Sequence, residues 1–109
     1  MENTKRAVIY TRGDNDIEQK LLCYFYASVN DINVLFDTKD INEVADCEEC
    51  NVMLVVKPSR ISRDAFEYHS IIKALKARGI EVVFTSTEET NKRFVDLLMR
   101  DLVKKKQQN

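Results

Sequence analysis

The chain has 109 residues, 44% hydrophobic and 32% charged, which suits one domain built around a single two- or three-layer core. Lys and Arg total 17 and Asp and Glu 18, a net charge of −1, so no whole-chain field points to nucleic acid, a membrane surface or an acidic substrate; an anion site must come from local clustering. Two glycines and one histidine exclude a Gly-rich dinucleotide fingerprint, a standard phosphate-cradling loop and any site built from several histidines, so no cofactor and no metal are expected.

Residues 7–10, Ala-Val-Ile-Tyr, form a short continuous apolar run, as a buried parallel strand would. Asp14, Asn15 and Asp16 supply helix-start chemistry, a capping oxygen and negative charge at the positive end of the dipole. Ile17, Leu21, Leu22, Phe25 and Val29 follow at spacings of three and four, which predicts a helix turning that stripe to a core. Asn30-Asp31 closes it, and residues 33–36 read as a second strand. Residues 37–50 are acidic and weakly patterned, with room for one short helix. Residues 52–56 are the most strand-like run, followed by the polar loop Lys57-Pro58-Ser59-Arg60-Ile61-Ser62-Arg63-Asp64. Ser62 or Asp64 caps the next helix, whose apolar face is Phe66, Ile71, Ile72 and Leu75, and Gly79 stands where a C-cap glycine belongs. Residues 80–84 are a fourth strand. Thr87-Glu88-Glu89 opens a last helix with Phe94, Val95, Leu98 and Leu102 on one face, and Lys104-Lys105-Lys106 suits its negative end.

The order β-α-β-(α)-β-α-β-α predicts an α/β fold: a mainly parallel four-stranded sheet, right-handed crossovers and flanking helices, all in one domain over residues 1–109. Ligands of such sheets sit beyond the carboxyl ends of the strands. The loops after strands 1 and 3 should lie side by side there, bringing together Arg12, Lys57, Arg60 and Arg63. Guanidinium forks match phosphate and keep their charge when partly buried, so this cluster suits a phosphodiester. The plainer reading is a set of solvated loop cations paired with Asp14 and Asp64.

The same segments carry a resemblance. Tyr10-Thr11-Arg12-Gly13-Asp14 resembles the Tyr-x-Arg-Val-Ser motif of the serine recombinases, the resolvase/invertase family. Ser59-Arg60-Ile61-Ser62-Arg63 resembles that family's Asp-Arg-Leu-x-Arg segment, and helix, Gly79 and strand 4 follow at similar spacing. The resemblance spans roughly residues 6–102. It implies a resolvase-like domain in which a serine attacks a DNA phosphodiester while arginines surround the phosphate. On that pattern Arg12, Arg60 and Arg63 match the arginines, Tyr10 the tyrosine and Gln19 a glutamine of the first helix.

The departures bear on chemistry. Asp14 stands at the nucleophile position, and Ser59 replaces the acid before the first arginine of the second motif. Residues 37–50 contain no arginine, where the family usually carries one beside a Ser-Gly. The family's long dimerising helix is at best truncated, and no separate helix-turn-helix domain is expected. A carboxylate at position 14 would compete with phosphate for the arginines, and an acyl phosphate formed on it would hydrolyse rather than conserve energy for rejoining. The expectation is a domain associated with site-specific recombination that lacks strand cleavage. It would bind DNA phosphate or associate with itself or an active recombinase through the last helix. The alternatives are an enzyme using another hydroxyl (Thr11, Ser59 or Ser62) or a flavodoxin- or receiver-like signalling domain, although strand 3 leads into Lys57 rather than a phosphoacceptor Asp.

Three cysteines without a secretory layout argue against a disulfide framework. Cys47-Glu48-Glu49-Cys50 has metal and redox spacing, yet the glutamates would raise the thiol pKa, so reduced cysteines in a short acidic helix are expected. His69 is read as a helix-face residue. Tyr24 and Tyr26 cannot both point inward with Phe25, which leaves one at the surface. No apolar run approaches the roughly 20 residues of a membrane span. The opening MENTKRAVIY has no signal-peptide layout, so a cytoplasmic location is expected.

Overall fold

In the computed structural model, which describes residues 4–86, four parallel strands form one sheet in the order β2-β1-β3-β4. The elements are β1 Arg6–Tyr10, α1 Asp16–Val29, β2 Asn33–Thr38, α2 Ile41–Asp46, β3 Val52–Val55, α3 Ala65–Ala77 and β4 Glu81–Phe84. The predicted alternation holds, and β2 runs two residues further than its apolar run suggests. The extra residues Asp37 and Thr38 pair with Ile9 and Tyr10 of β1. The predicted last helix, with Phe94, Val95, Leu98, Leu102 and Lys104 to Lys106, lies outside the described residues.

The central strands are apolar on both faces because both faces are covered. All four residues of β3 are buried, as are Ala7, Val8, Ile9 and Tyr10 of β1. Alternate residues feed two cores. Ala7, Ile9, Val52 and Leu54 pack with Cys23 and Ala27 of α1. Val8, Tyr10, Met53 and Val55 pack with Val44 of α2, Leu75 of α3 and the loop residue Ile61. Each such large apolar side chain contributes about 1.5–3 kcal/mol on burial.

Helix α1 corrects the expected stripe. Its buried residues are Gln19, Cys23 and Ala27, whereas Ile17 is 70% and Leu21 52% exposed. Two stripes of three-and-four spacing coexist on this helix, and the smaller one wins. Cys23 and Ala27 let the helix sit close to the sheet, and hydrogen bonds from Gln19 fix its rotation. The larger apolar residues Ile17, Leu21 and Val29 are left exposed, with Leu22 and Phe25 half-buried. Tyr24 is the outward tyrosine, its hydroxyl donating to Asp37 at 2.8 Å. The expected capping oxygen is also absent: Asn15 at the N-cap is left-handed (φ 62°) and no side chain caps the helix. Asp16 and Glu18 still place negative charge in the first turn.

Helix ends elsewhere follow their sequence signals. Asp64 caps α3, its carboxylate accepting from Phe66 N–H at 3.0 Å, and Asp40 caps α2 through Asn42 N–H at 2.9 Å. Gly79 (φ 79°) terminates α3, with its own N–H bonded to the Lys76 carbonyl and that of Ile80 to Leu75. On α3 the apolar face is Tyr68, Ile71, Ile72 and Leu75, while Phe66 is 88% exposed and belongs to the opposite side.

Cys47 and Cys50 lie in the loop between α2 and β3 rather than in a helix, because α2 ends at Asp46. All three cysteines are free thiols, and no group of three or more potential metal ligands occurs among the described residues. Burial pushes the Cys23 thiol up to about 11, against a bond to Thr85 that pulls it down; burial, then neighbouring Cys47, pushes Cys50 up to about 11. The protonated thiols are favoured in the fold, so this stabilisation is complete below the ordinary value of 9.0 and declines as pH rises towards 11. Urea midpoints measured from pH 8 to 11 should fall across that window, and a Cys23→Ala variant should show a shallower fall.

No helix among the described residues is long and apolar enough to cross a membrane.

Candidate functional site

The sheet reverses its winding between β1 and β3: the chain moves from β1 outward to β2 on one side and from β3 outward to β4 on the other. Loops leaving the carboxyl ends of those two strands diverge to opposite faces and leave a crevice between them. A pocket of about 310 Å³ opens there, lined by Arg12, Gly13, Ser59, Arg60 and Arg63. Three of the four expected cations share this pocket.

The β1–α1 loop is held from beneath by Gln19, which is 3% exposed. Its amide oxygen accepts from Arg12 N–H at 3.2 Å, and its amide nitrogen donates to the carbonyls of Arg12 at 3.0 Å and Asp14 at 2.9 Å. Gln19 therefore shapes the backbone that carries Arg12 and makes three hydrogen bonds in doing so. It is a positioning residue, buried behind the pocket.

The β3–α3 loop is anchored by Ile61, which is buried in the core between half-buried Arg60 and, two residues on, exposed Arg63. Pro58 starts a single 3₁₀ turn, Pro58–Arg60, and Ile61 N–H bonds back to the Pro58 carbonyl at 2.9 Å. Ser62 is buried, accepting from Asp64 N–H at 3.0 Å. Lys57 lies before this turn in extended backbone, exposed and outside the pocket lining, because the chain changes direction only at Pro58.

The two loops interlock through their arginines. Arg12 donates to the Ile61 carbonyl at 2.6 Å, and Arg60 donates to the Arg12 carbonyl at 3.2 Å. Gly13 (φ 81°) makes the second contact possible: a Cβ there would stand 2.9 Å from Arg60 Nη1. Sequence reasoning overlooked this glycine, although it occupies the position where the resemblance places valine. It also overlooked Glu67, whose carboxylate lies 3.8 Å from Arg12.

The pairing of these cations with Asp14 and Asp64 that the plainer reading calls for does not occur. Asp64 serves α3 as its cap, and Asp14 is exposed, makes no ion pair among the described residues and does not line the pocket. Arg63 is exposed and makes no hydrogen bond or ion pair among the described residues. Arg60 Nε is buried without a hydrogen-bond partner among the described residues. A buried donor left unsatisfied is costly.

Tyr10 packs behind the site among Val8, Val55 and Ile61. Burial pushes its phenol above the ordinary value, with Arg12 pulling against burial and Asp40 and Glu67 adding to it. Of the three candidate hydroxyls, Thr11 is fully buried, Ser62 is buried and bonded to the Asp64 backbone, and Ser59 alone reaches the pocket lining.

Comparison with known proteins agrees with this fold. The family model described as Resolvase, N terminal domain, matches residues 39–108, a span that includes Arg60 and Arg63 but begins after Arg12 and Asp14. The crystal structure of the C-terminal catalytic domain of ISC1926 TnpA, an IS607-like serine recombinase, superposes with a TM-score of 0.65 at 17% identity, covering 92% of this chain and 84% of that one. The crystal structure of a resolvase family site-specific recombinase from Streptococcus pneumoniae gives a TM-score of 0.64 at 15% identity, covering 97% of this chain and 100% of that one. At these identities the structural likeness is one of fold. No curated protein matches the sequence. The family match, reached independently of the pocket, removes the flavodoxin- and receiver-like alternative: the chain belongs to the resolvase N-terminal domain family, the serine-recombinase domain associated with site-specific recombination.

Proposed function

We propose that this domain grips a DNA phosphodiester between Arg12, Arg60 and Arg63 without cutting it, and serves recombination as a binding and assembly module. The observation that carries this reading is the single pocket that Arg60 lines together with Arg12 and Arg63. Bidentate guanidinium forks suit phosphate oxygens, and a carboxylate stands at position 14 where the family resemblance calls for the attacking hydroxyl. Assembly, with a second copy or with an active recombinase, is assigned to residues 87–109, which carry the apolar stripe Phe94, Val95, Leu98 and Leu102.

The alternative, strand transfer by another hydroxyl, has one supporting observation: Ser59 lines the pocket. It lacks an evident base to activate it. Incubation with nicked suicide DNA substrates, followed by denaturing electrophoresis, separates the two readings. The wild-type protein should give no covalent protein–DNA adduct. An adduct that disappears in Ser59→Ala would overturn the proposal and establish the alternative.

A further inference from the structure

We propose that Phe66 contacts a DNA base beside the phosphate pocket, so that the pocket and the outer face of α3 form one continuous DNA-docking surface. This inference rests on the phosphate-binding reading above and extends it. A single exposed apolar residue is ordinary on a protein surface. Phe66 is informative because of where it stands. It is 88% exposed on the side of α3 opposite its core face, and the capping bond from its own N–H to Asp64 fixes its backbone. Side chains on a helix lean towards the N-terminus, so a first-turn Phe66 leans past the end of α3 towards the loop that carries Arg60 and Arg63.

The charge around it is complementary to nucleic acid. Residues 57–73 hold four Lys and Arg against two Asp and Glu, a local balance of +2 within a chain of net −1. Both acids in that segment are engaged, Asp64 as the helix cap and Glu67 beside Arg12. The exposed face continues from Phe66 through Ser70 and Lys73 without a carboxylate. An aromatic ring flanked by cations is the combination that stacks on bases while tracking a phosphate backbone.

The test is fluorescence anisotropy with a labelled thymine oligonucleotide and with the same backbone made abasic. Phe66→Ala should bind the thymine strand about tenfold more weakly and the abasic strand as well as wild type does. Phe66→Trp should retain binding, and its emission, unique in a chain without tryptophan, should be quenched by the thymine strand and not by the abasic one. Arg60→Ala, run in parallel, should weaken binding to both strands. If Phe66→Ala matches wild type on both strands while Arg60→Ala is weakened, the base contact is overturned and the phosphate pocket stands. If Arg60→Ala is also unaffected, the pocket reading fails with it. A Phe66→Ala variant that changes oligomeric state in sedimentation, with DNA affinity intact, would make Phe66 a protein contact and overturn the inference.

Discussion

An Arg60→Ala variant is expected to bind DNA about ten- to a hundredfold more weakly than the wild type, the range that removal of a hydrogen bond to a charged group gives. Arg60 serves both loops. Its Nη1 clasps the Arg12 carbonyl, and its Nε is a buried donor without a partner among the described residues. Truncation removes one of the three guanidinium groups lining the pocket and also loosens the loop that presents Arg12. Arg60→Lys should not restore binding, because an ammonium group lacks the fork that reaches a carbonyl and a phosphate together. Anisotropy titrations at several salt concentrations check this. Affinity should fall, and the slope of log K against log salt should flatten by about 1, as expected when one cation no longer neutralises a phosphate. An unchanged slope with unchanged affinity would place the phosphate elsewhere.

Gln19→Ala should be the most damaging single change in the site for stability, at about 2–4 kcal/mol in urea unfolding. The side chain is buried, and its three hydrogen bonds satisfy Arg12 N–H and the carbonyls of Arg12 and Asp14. Removing it strands backbone groups in a place where water has little access, at about 1–3 kcal/mol for each one left unpaired. Domains of this size are stable by only about 5–15 kcal/mol, so the variant should remain folded with a visibly lower midpoint. Gln19→Glu is nearly isosteric and separates packing from hydrogen bonding: it would set a carboxylate against two carbonyls and should be at least as destabilising. A Gln19→Glu protein with a wild-type midpoint would show that the amide donor is not what holds the loop.

The sheet was readable because the two central strands are apolar on both faces, which leaves little choice of element at Ala7 to Tyr10 or Val52 to Val55. The expected neighbouring of the loops after strands 1 and 3 matches the adjacency of β1 and β3, and with it the meeting of Arg12, Arg60 and Arg63 in one crevice. Helix α1 was harder. Its apolar residues form two overlapping stripes, and periodicity has no means of favouring Cys23 and Ala27 over Ile17 and Leu21. The choice is made by Gln19, whose hydrogen bonds to a loop seven and five residues away turn the helix. Phe66 misled for a related reason: it is apolar, but the register of α3 is set by Tyr68, Ile71, Ile72 and Leu75, and position 66 falls off that face.

Within the site, residue types were legible and their partners were not. The clustering of guanidinium groups in adjoining loops is legible, yet the sequence does not reveal that Arg12 leans on the Ile61 carbonyl or that Glu67 rather than Asp14 stands beside it. Those contacts depend on loop backbone, and the loop takes its shape from Gly13 and Asn15 in left-handed conformations. Gly13 is legible in retrospect, since a residue without Cβ in a loop lining a pocket signals close approach, here by Arg60.

Side-chain NMR of the arginine Nε–Hε groups, followed during titration with a short DNA strand, tests the shared phosphate pocket most directly. Arg6 and Arg78 provide internal references, being bonded to the carbonyls of Glu49 and Ala45 at the amino end of the sheet. Arg12, Arg60 and Arg63 should shift together along one saturation curve, Arg60 furthest, while Arg6 and Arg78 stay still. Shifts confined to other cations, or three pocket arginines that saturate independently, would contradict a single phosphate held among them.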